Sequence, residues 1–431
     1  MAPLQFCTTS SRRYLPYARA LGASIRRHQP ESTLWILLTD DHRHEVDQDS
    51  DPSQLIWNEE LGFETEELHR LFLIHAEDYH IAIKPFLIEH VLHETGGPVM
   101  FIDSDIHLYG SLADVGDLIS EHGIVLTPHA VSPYPLDDRG PDDTTILSAG
   151  TFNAGMIGVG AKGTGLLDFL KSRLGRECLV DVTKMRVGEQ RWLDYSPSFF
   201  DTYVLRDLGV NVAYWNLHER PLSIVEGRIH AGGVPLRAYH FSGYDLGNTG
   251  VLSRHAGPRP RIELANEPIV QRLCADYRQS IFAADFESAS QIPVAFDQLP
   301  GGIPIDATLR AVFRASVIAA ERQGVGCPPD PYDLAQRPLF LKWAELTYTA
   351  AKLPVPSWAV TDTATTTPTG VVPVGTPHAL APFTPAVANA PEPADELLRR
   401  LASSSAAALS NLDQRVAELE RQFALLGRGA A

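Results

Sequence analysis

Short unbroken apolar runs alternate with segments of helical rhythm through the first third of this 431-residue chain, and no other feature restricts its fold as strongly. LQFCTTS reads as a strand running into a loop. YLPYARALGASIRRH follows, with Leu15, Ala18, Leu21, Ala23 and Ile25 in roughly helical spacing. LWILLTD, residues 34 to 40, is an apolar run of strand length, and ELHRLFLIHAEDYHIAIKPFLIEHVLHETGG predicts helix in two pieces, ending at Gly96-Gly97. PVMFIDSD does not alternate, so it predicts a strand buried on both faces. Repetition of this kind implies the α/β class with a mostly parallel central sheet flanked by helices. IVLTPHA, FNAGMIGVG and NVAYWNL are further strand candidates and GTGLLDFLKSRL is a helix from near Thr164, so the sheet is expected to end near residue 250.

Beyond the sheet the pattern changes twice. PIVQRLCADY, LRAVFRASVIAAERQ and LFLKWAELTYTAAKL predict a helical accessory module over 256–353, after an α/β domain over 1–255. Residues 354–395 are rich in Pro, Thr, Ala and Val without sustained period, the composition of a flexible linker. In the last segment, 396–428, Leu412, Val416, Leu419, Phe423 and Leu426 are spaced as a heptad seam. A lone helix could not bury that seam, so self-association, a partner helix and docking on the protein's own body are all open.

Charge and cysteine content narrow the function classes. Lys and Arg total 36 against 53 Asp and Glu, and the net charge of −17 would repel a phosphodiester backbone, which argues against nucleic acid as a partner. Cys7, Cys178, Cys274 and Cys327 lie far apart with no CxxC spacing, so neither a zinc ribbon nor a disulfide framework is indicated. The N-terminus has no apolar stretch of signal-peptide length, and the expected location is cytoplasmic, with peripheral membrane association open.

Two carboxylates, Asp103 and Asp105, close the apolar run VMFI, where a parallel strand leaves the sheet and α/β proteins bind ligands. In extended chain they fall on one side, about 6 to 7 Å apart. At an effective dielectric of about 20 their repulsion costs roughly 2 to 3 kcal/mol. The pair therefore asks for a compensating cation, and a Mg²⁺ or Mn²⁺ completed by phosphate oxygens is the usual solution at a nucleotide. The bland alternative is that one Asp caps the next helix and the other is solvated. Asp47, Asp49 and Asp51 offer a competing acidic run, but Pro52 stands at the sixth calcium-loop position, where Gly is needed, and Asn58 at the twelfth, where Glu is needed. A solvated loop is the better reading there.

In order, FCTTSSRRYLPYARALGASI, AIKPFLIEHVL, VMFIDSDIHLYGSL, GTFNAGMIGVG, GEQRWLDY and AYHFSGY cover roughly residues 4–250. Together they resemble a GT-A (Rossmann-like) glycosyltransferase, most like the glycogenin and lipopolysaccharide galactosyltransferase group and its bacterial relatives. The resemblance implies that Thr8 and Thr9 line the nucleoside and that Lys84 reaches the donor phosphates or sugar. It further implies that Asp103, with Ser104 beside it, touches ribose and metal, and that Asp105 and His240 complete the metal site. Asn153 would hold the donor sugar's hydroxyls, Gly155 and Gly243 would admit the donor to the backbone, and Glu189-Gln190 would stand beside the anomeric carbon, where relatives usually carry Asp-Gln. The family's Lys-Pro-Trp after the last motif is replaced by Asp245, Leu246 and Gly247.

The expected activity is metal-dependent transfer of a hexose, from UDP-glucose or UDP-galactose by resemblance and GDP sugars less so, to a hydroxyl of a glycan, lipid or protein. Retention is favoured; inversion would need Glu189 or Asp194 as general base. A sugar nucleotidyltransferase fits less well, because TTSSRRYLP lacks the glycines of a triphosphate loop. A catalytically weak sugar-nucleotide-binding or scaffold protein is the other reading. The polar, Pro-rich stretch 132–145 is expected to be a mobile cover.

Overall fold

The computed structural model describes residues 2–40, 46–75, 78–178, 180–181, 186–293, 298–323, 327–360, 398–400, 402–404, 406–407 and 409. The heptad seam and all but the first residues of the expected linker lie outside them. The chain divides into two compact units, Met1–Phe63 with Glu77–Val294 and Glu64–Ala76 with Ala295–Ala431. The first therefore runs past the expected boundary at residue 255, and the expected helical module is shared between the two.

The first unit is built on β1 (Gln5–Ser10), α1 (Leu15–His28), β2 (Leu34–Leu38), β3 (Gln54–Trp57), α2 (Lys84–Thr95) and β4 (Val99–Ile102). It continues with β5 (Ile106–Leu108), α3 (Ala113–His122), β6 (Ile124–Pro128), β7 (Phe152–Val159), α4 (Thr164–Glu177), β8 (Thr202–Val204), β9 (Ala238–His240) and α5 (Pro268–Ala283). The seven-stranded sheet runs β8-β6-β7-β4-β1-β2-β3. Only β7 opposes its neighbours β4 and β6; the remaining pairs are parallel, as the non-alternating apolar runs imply. Helices cover the sheet, and α1 and α3 bury Leu21, Ile25, Val115 and Ile119 in one core with Phe6, Ile36 and Met100.

Two local expectations change. The long helical stretch is broken into Thr65–His75, Tyr79–Ala82 and α2 rather than two pieces, and its first piece belongs to the second unit. NVAYWNL is not a strand: only Val212 bridges Tyr239, and the following residues turn. Residues 131–141 make hydrogen bonds to distant parts of the chain. Glu219 accepts hydrogen bonds from the amides of Val131 (3.0 Å) and Ser132 (2.7 Å), and Tyr134 is buried on His218 with its hydroxyl donating to Trp215 O. Arg261 donates to Asp137 and to the carbonyls of Pro135, Arg139 and Pro141.

The second unit, described by itself, packs Thr65–His75 with the helices Ala307–Gln323 and Arg337–Ala350 around Leu73, Ile74, Leu309, Phe313, Phe340 and Trp343. Among the described residues no helix is long and apolar enough to cross a membrane.

Candidate active site

The site grows from the end of β4. Asp103 donates its backbone N–H to Gly155 O on β7, and the chain turns through Ser104 and Asp105 into β5. Three-residue β5 then pairs antiparallel with β9, setting His240 opposite Ile106, and Phe241 N–H donates to Asp105 O. That pairing carries a histidine 135 positions away in sequence to the side of Asp105. Among the described residues, Asp103, Asp105 and His240 offer ligand atoms all within 4.8 Å of one another.

Without an ion, each carboxylate has its own protein cation. Lys84 Nζ lies 3.0 Å from Asp103 Oδ1, and His240 Nε2 lies 3.0 Å from Asp105 Oδ1. Burial works to lower the His240 pKa, but Asp105 outweighs it and the net shift is upward; burial works to raise that of Asp105, and His240 brings it below the usual range. The repulsion between the two aspartates is thus relieved within the protein. What points to a divalent ion is convergence: oxygen, oxygen and imidazole nitrogen suit Mn²⁺. Ligands about 2.1 Å from one ion stand up to about 4 Å apart, so small side-chain rotations close the set. Gly155 keeps the space open, since a Cβ there would sit 2.6 Å from His240 Cε1 and 2.9 Å from Asp103 Oδ2.

Lys84 is turned onto protein partners. Its side chain is 5% exposed and its ammonium takes three partners, Asp103 Oδ1, Glu189 Oε1 at 2.5 Å and Ala154 O at 3.4 Å. Three donors are all an ammonium has. Burial works to lower its pKa, yet Asp103 and Glu189 prevail and raise it. Glu189 is equally buried; burial raises its pKa against the pull of Lys84.

Asn153 is also fully engaged. Its Oδ1 accepts from Gly155 N (3.1 Å) and Asn211 Nδ2 (3.0 Å), and its Nδ2 meets Gln190 Oε1 (3.3 Å) and His129 Nε2 (3.4 Å). Gln190 Oε1 takes a second bond from Ala154 N, and Gln190 Nε2 donates to Ala149 O. His129, beneath them, has its pKa lowered to about 4 by burial, partly offset by the Gly150 and Thr151 carbonyls, so it stays neutral. Thr9 donates to His80 O, whereas the hydroxyl of fully buried Thr8, inside the same strand, has no partner among the described residues. Ser104 sits half-buried in the turn. Gly243, at φ 70°, serves a close fold-back: its Cβ would lie 2.5 Å from the His255 ring and 2.6 Å from Ser253 Oγ.

No family model matches this chain. In sequence it is similar to the uncharacterized protein YfnF of Bacillus subtilis (strain 168), 28% identical over 248 residues that span 56% of this chain and 82% of that one. In structure it is similar to the glycosyltransferase GlyE of Streptococcus pneumoniae TIGR4, at 14% identity and TM-score 0.35, over 69% of this chain and 66% of that one. It is also similar to the galactosyltransferase LgtC solved with donor and acceptor sugar analogs, at 13% identity and TM-score 0.33, over 64% and 95%.

Two site residues escape sequence reading. Asn211 and Asn216, both fully buried, knit the floor: Asn211 joins Thr127, Asn153 and His240, and Asn216 ties His129 O and Asn211 O to Ala213 N. The available signal was two amides inside the apolar run NVAYWNL, since buried amides require partners.

Proposed function

We propose that this chain is a metal-dependent glycosyltransferase that moves a hexose from a nucleotide-diphosphate sugar, UDP-glucose or UDP-galactose, to a hydroxyl acceptor. The observation that carries this reading is the convergence of Asp103, Asp105 and His240 at the rim of a mostly parallel sheet. A divalent ion bound there would stabilise the negative charge that develops on the departing phosphate. The Thr8 hydroxyl, two residues before the end of β1, is assigned to the nucleoside. Lys84 holds Asp103 and Glu189 in register rather than holding the donor. Asn153 and Ala154 N aim the Gln190 carbonyl, which we place beside the anomeric carbon.

Retention is the better-supported course. Neither carboxylate available for inversion is free to act as a base: Glu189 is paired with Lys84, and Asp194 accepts from Thr151 N (2.8 Å) and pairs with Arg191 (3.0 Å). The acceptor oxygen then bonds the anomeric carbon on the face from which phosphate departs, and its proton passes to the phosphate oxygen as the old bond breaks.

A thermal-shift screen of sugar nucleotides with Mn²⁺, followed by donor hydrolysis and NMR of the product anomer, tests the proposal. Stabilisation and turnover that disappear in Asp105→Asn are expected. Failure of every sugar nucleotide to stabilise the protein in the presence of Mn²⁺ would sink it.

A further inference from the structure

The polarity of the amides under the site follows from one group that cannot be flipped. The backbone N–H of Gly155 only donates, so the Asn153 atom it meets at 3.1 Å is the oxygen. Asn211 meets that same oxygen at 3.0 Å and so presents its nitrogen, whose other proton goes to Thr127 Oγ1 at 2.9 Å. Its own carboxamide oxygen is thereby turned to His240 Nδ1, 3.2 Å away. Asn211 is fully buried, so turning its amide over would set oxygen against Thr127 Oγ1 and Asn153 Oδ1 with no solvent to compensate.

We infer that Asn211 is a positioning residue that fixes the His240 proton on Nδ1 and so presents Nε2 as the free ligand nitrogen, while tying that ligand to Asn153 and Gln190. Both ring nitrogens face oxygens, Nδ1 that of Asn211 and Nε2 that of Asp105 at 3.0 Å, so a cation entering beside Asp105 would take the place of the Nε2 proton while Asn211 keeps the other on Nδ1. Outer partners of this kind orient a metal-binding imidazole and strengthen it as a ligand. Asn211 acts through His240 and touches no substrate. Because Asn211 Nδ2 also holds the oxygen of Asn153, whose nitrogen meets Gln190 Oε1, a rotation of the His240 ring would be felt at Gln190. The inference rests on the cation site proposed above.

The test is Mn²⁺ binding to the full chain, followed by electron paramagnetic resonance and calorimetry, with circular dichroism reporting the fold. Asn211→Ala is expected to raise the Mn²⁺ dissociation constant by ~10- to 100-fold. Asn211→Asp keeps an acceptor for the Nδ1 proton but sets a carboxylate oxygen against Asn153 Oδ1, so it is expected to recover part of that loss, and a loss as large as that of Asn211→Ala counts against the inference. Unchanged affinity in a folded Asn211→Ala protein overturns the inference and leaves the cation site standing; no Mn²⁺ binding by the unsubstituted protein overturns both. Should the alanine variant not fold, the unsubstituted protein decides by itself. Its ¹⁵N-histidine spectrum with saturating Mg²⁺, a diamagnetic ion, and the His240 signals identified by their loss in His240→Asn, is expected to show the ring protonated on Nδ1 alone, and a ring protonated on Nε2 alone refutes the assignment.

Discussion

In the proposed cation site His240 would serve either a proton or a metal ion with the same nitrogen, and its raised pKa fixes the direction of the competition. Below that pKa Nε2 is protonated and bound to Asp105; above it the lone pair is free, so Mn²⁺ affinity is expected to climb with pH through the raised value. Calorimetry at stepped pH checks this, and a flat profile contradicts it. For the ion-free protein the sign is opposite: a raised histidine pKa contributes stability that is fully present below the unfolded value of about 6.5 and is lost as pH rises through the folded one. Asp105, with a depressed pKa, contributes stability that is lost as pH falls through its folded value. Lys84 and Glu189, both 5% exposed, make a different prediction. Lys84→Met strands a buried carboxylate and should cost about 3 to 5 kcal/mol in urea unfolding, whereas adding Glu189→Gln should recover much of it. A single variant as stable as the parent would mean the pair matters little. The two aspartates could be singled out from sequence because they end an apolar run. The partners of Lys84 could not, since a lysine in an apolar helix is more often one that snorkels to solvent.

At the scale of elements, the β5–β9 pairing and Gly155 on β7 create the room in which the site exists. Gly155→Ala should weaken Mn²⁺ binding, because its methyl must displace His240, Asn153 Oδ1 or Asp103. Calorimetry beside a thermal melt separates this from unfolding, and unaltered affinity would show that the ring yields easily. The loop over residues 132–141 is expected to resist proteases until Arg261→Ala removes its hydrogen bonds, with or without donor present; equal cleavage of variant and parent would count against the clamp. Strands β1, β2, β4, β6 and β7 were legible because burial on both faces writes an unbroken apolar run. The run NVAYWNL misled for the same reason: it is buried, yet its backbone turns around Asn211 and Asn216 instead of joining a ladder. Nothing local in SPYPLDDRG announces that Glu219 and Arg261, over 80 and 120 positions downstream, will fasten it.

For the whole molecule, ligand linkage should be confined to the unit that carries the site. Hydrogen exchange with and without Mn²⁺ and a sugar nucleotide is expected to slow around 103–105, 153–155 and 240 and to leave the helices Ala307–Gln323 and Arg337–Ala350 unchanged. Protection confined to the second unit would place the ligand elsewhere. Composition and charge set the class of the molecule, but the division into units was not visible in them, because it depends on which helix the strand-rich unit lends away. That loan has a practical meaning. Residues Glu64–Ala76 are excursive: the chain leaves the unit bearing Asp103 and His240, contributes Leu73 and Ile74 to the other core, and returns. A gene cut after residue 294 would yield not a minimal enzyme but a body trailing a greasy, unmatched helix, and anyone trimming this protein should excise that excursion as well or keep both halves.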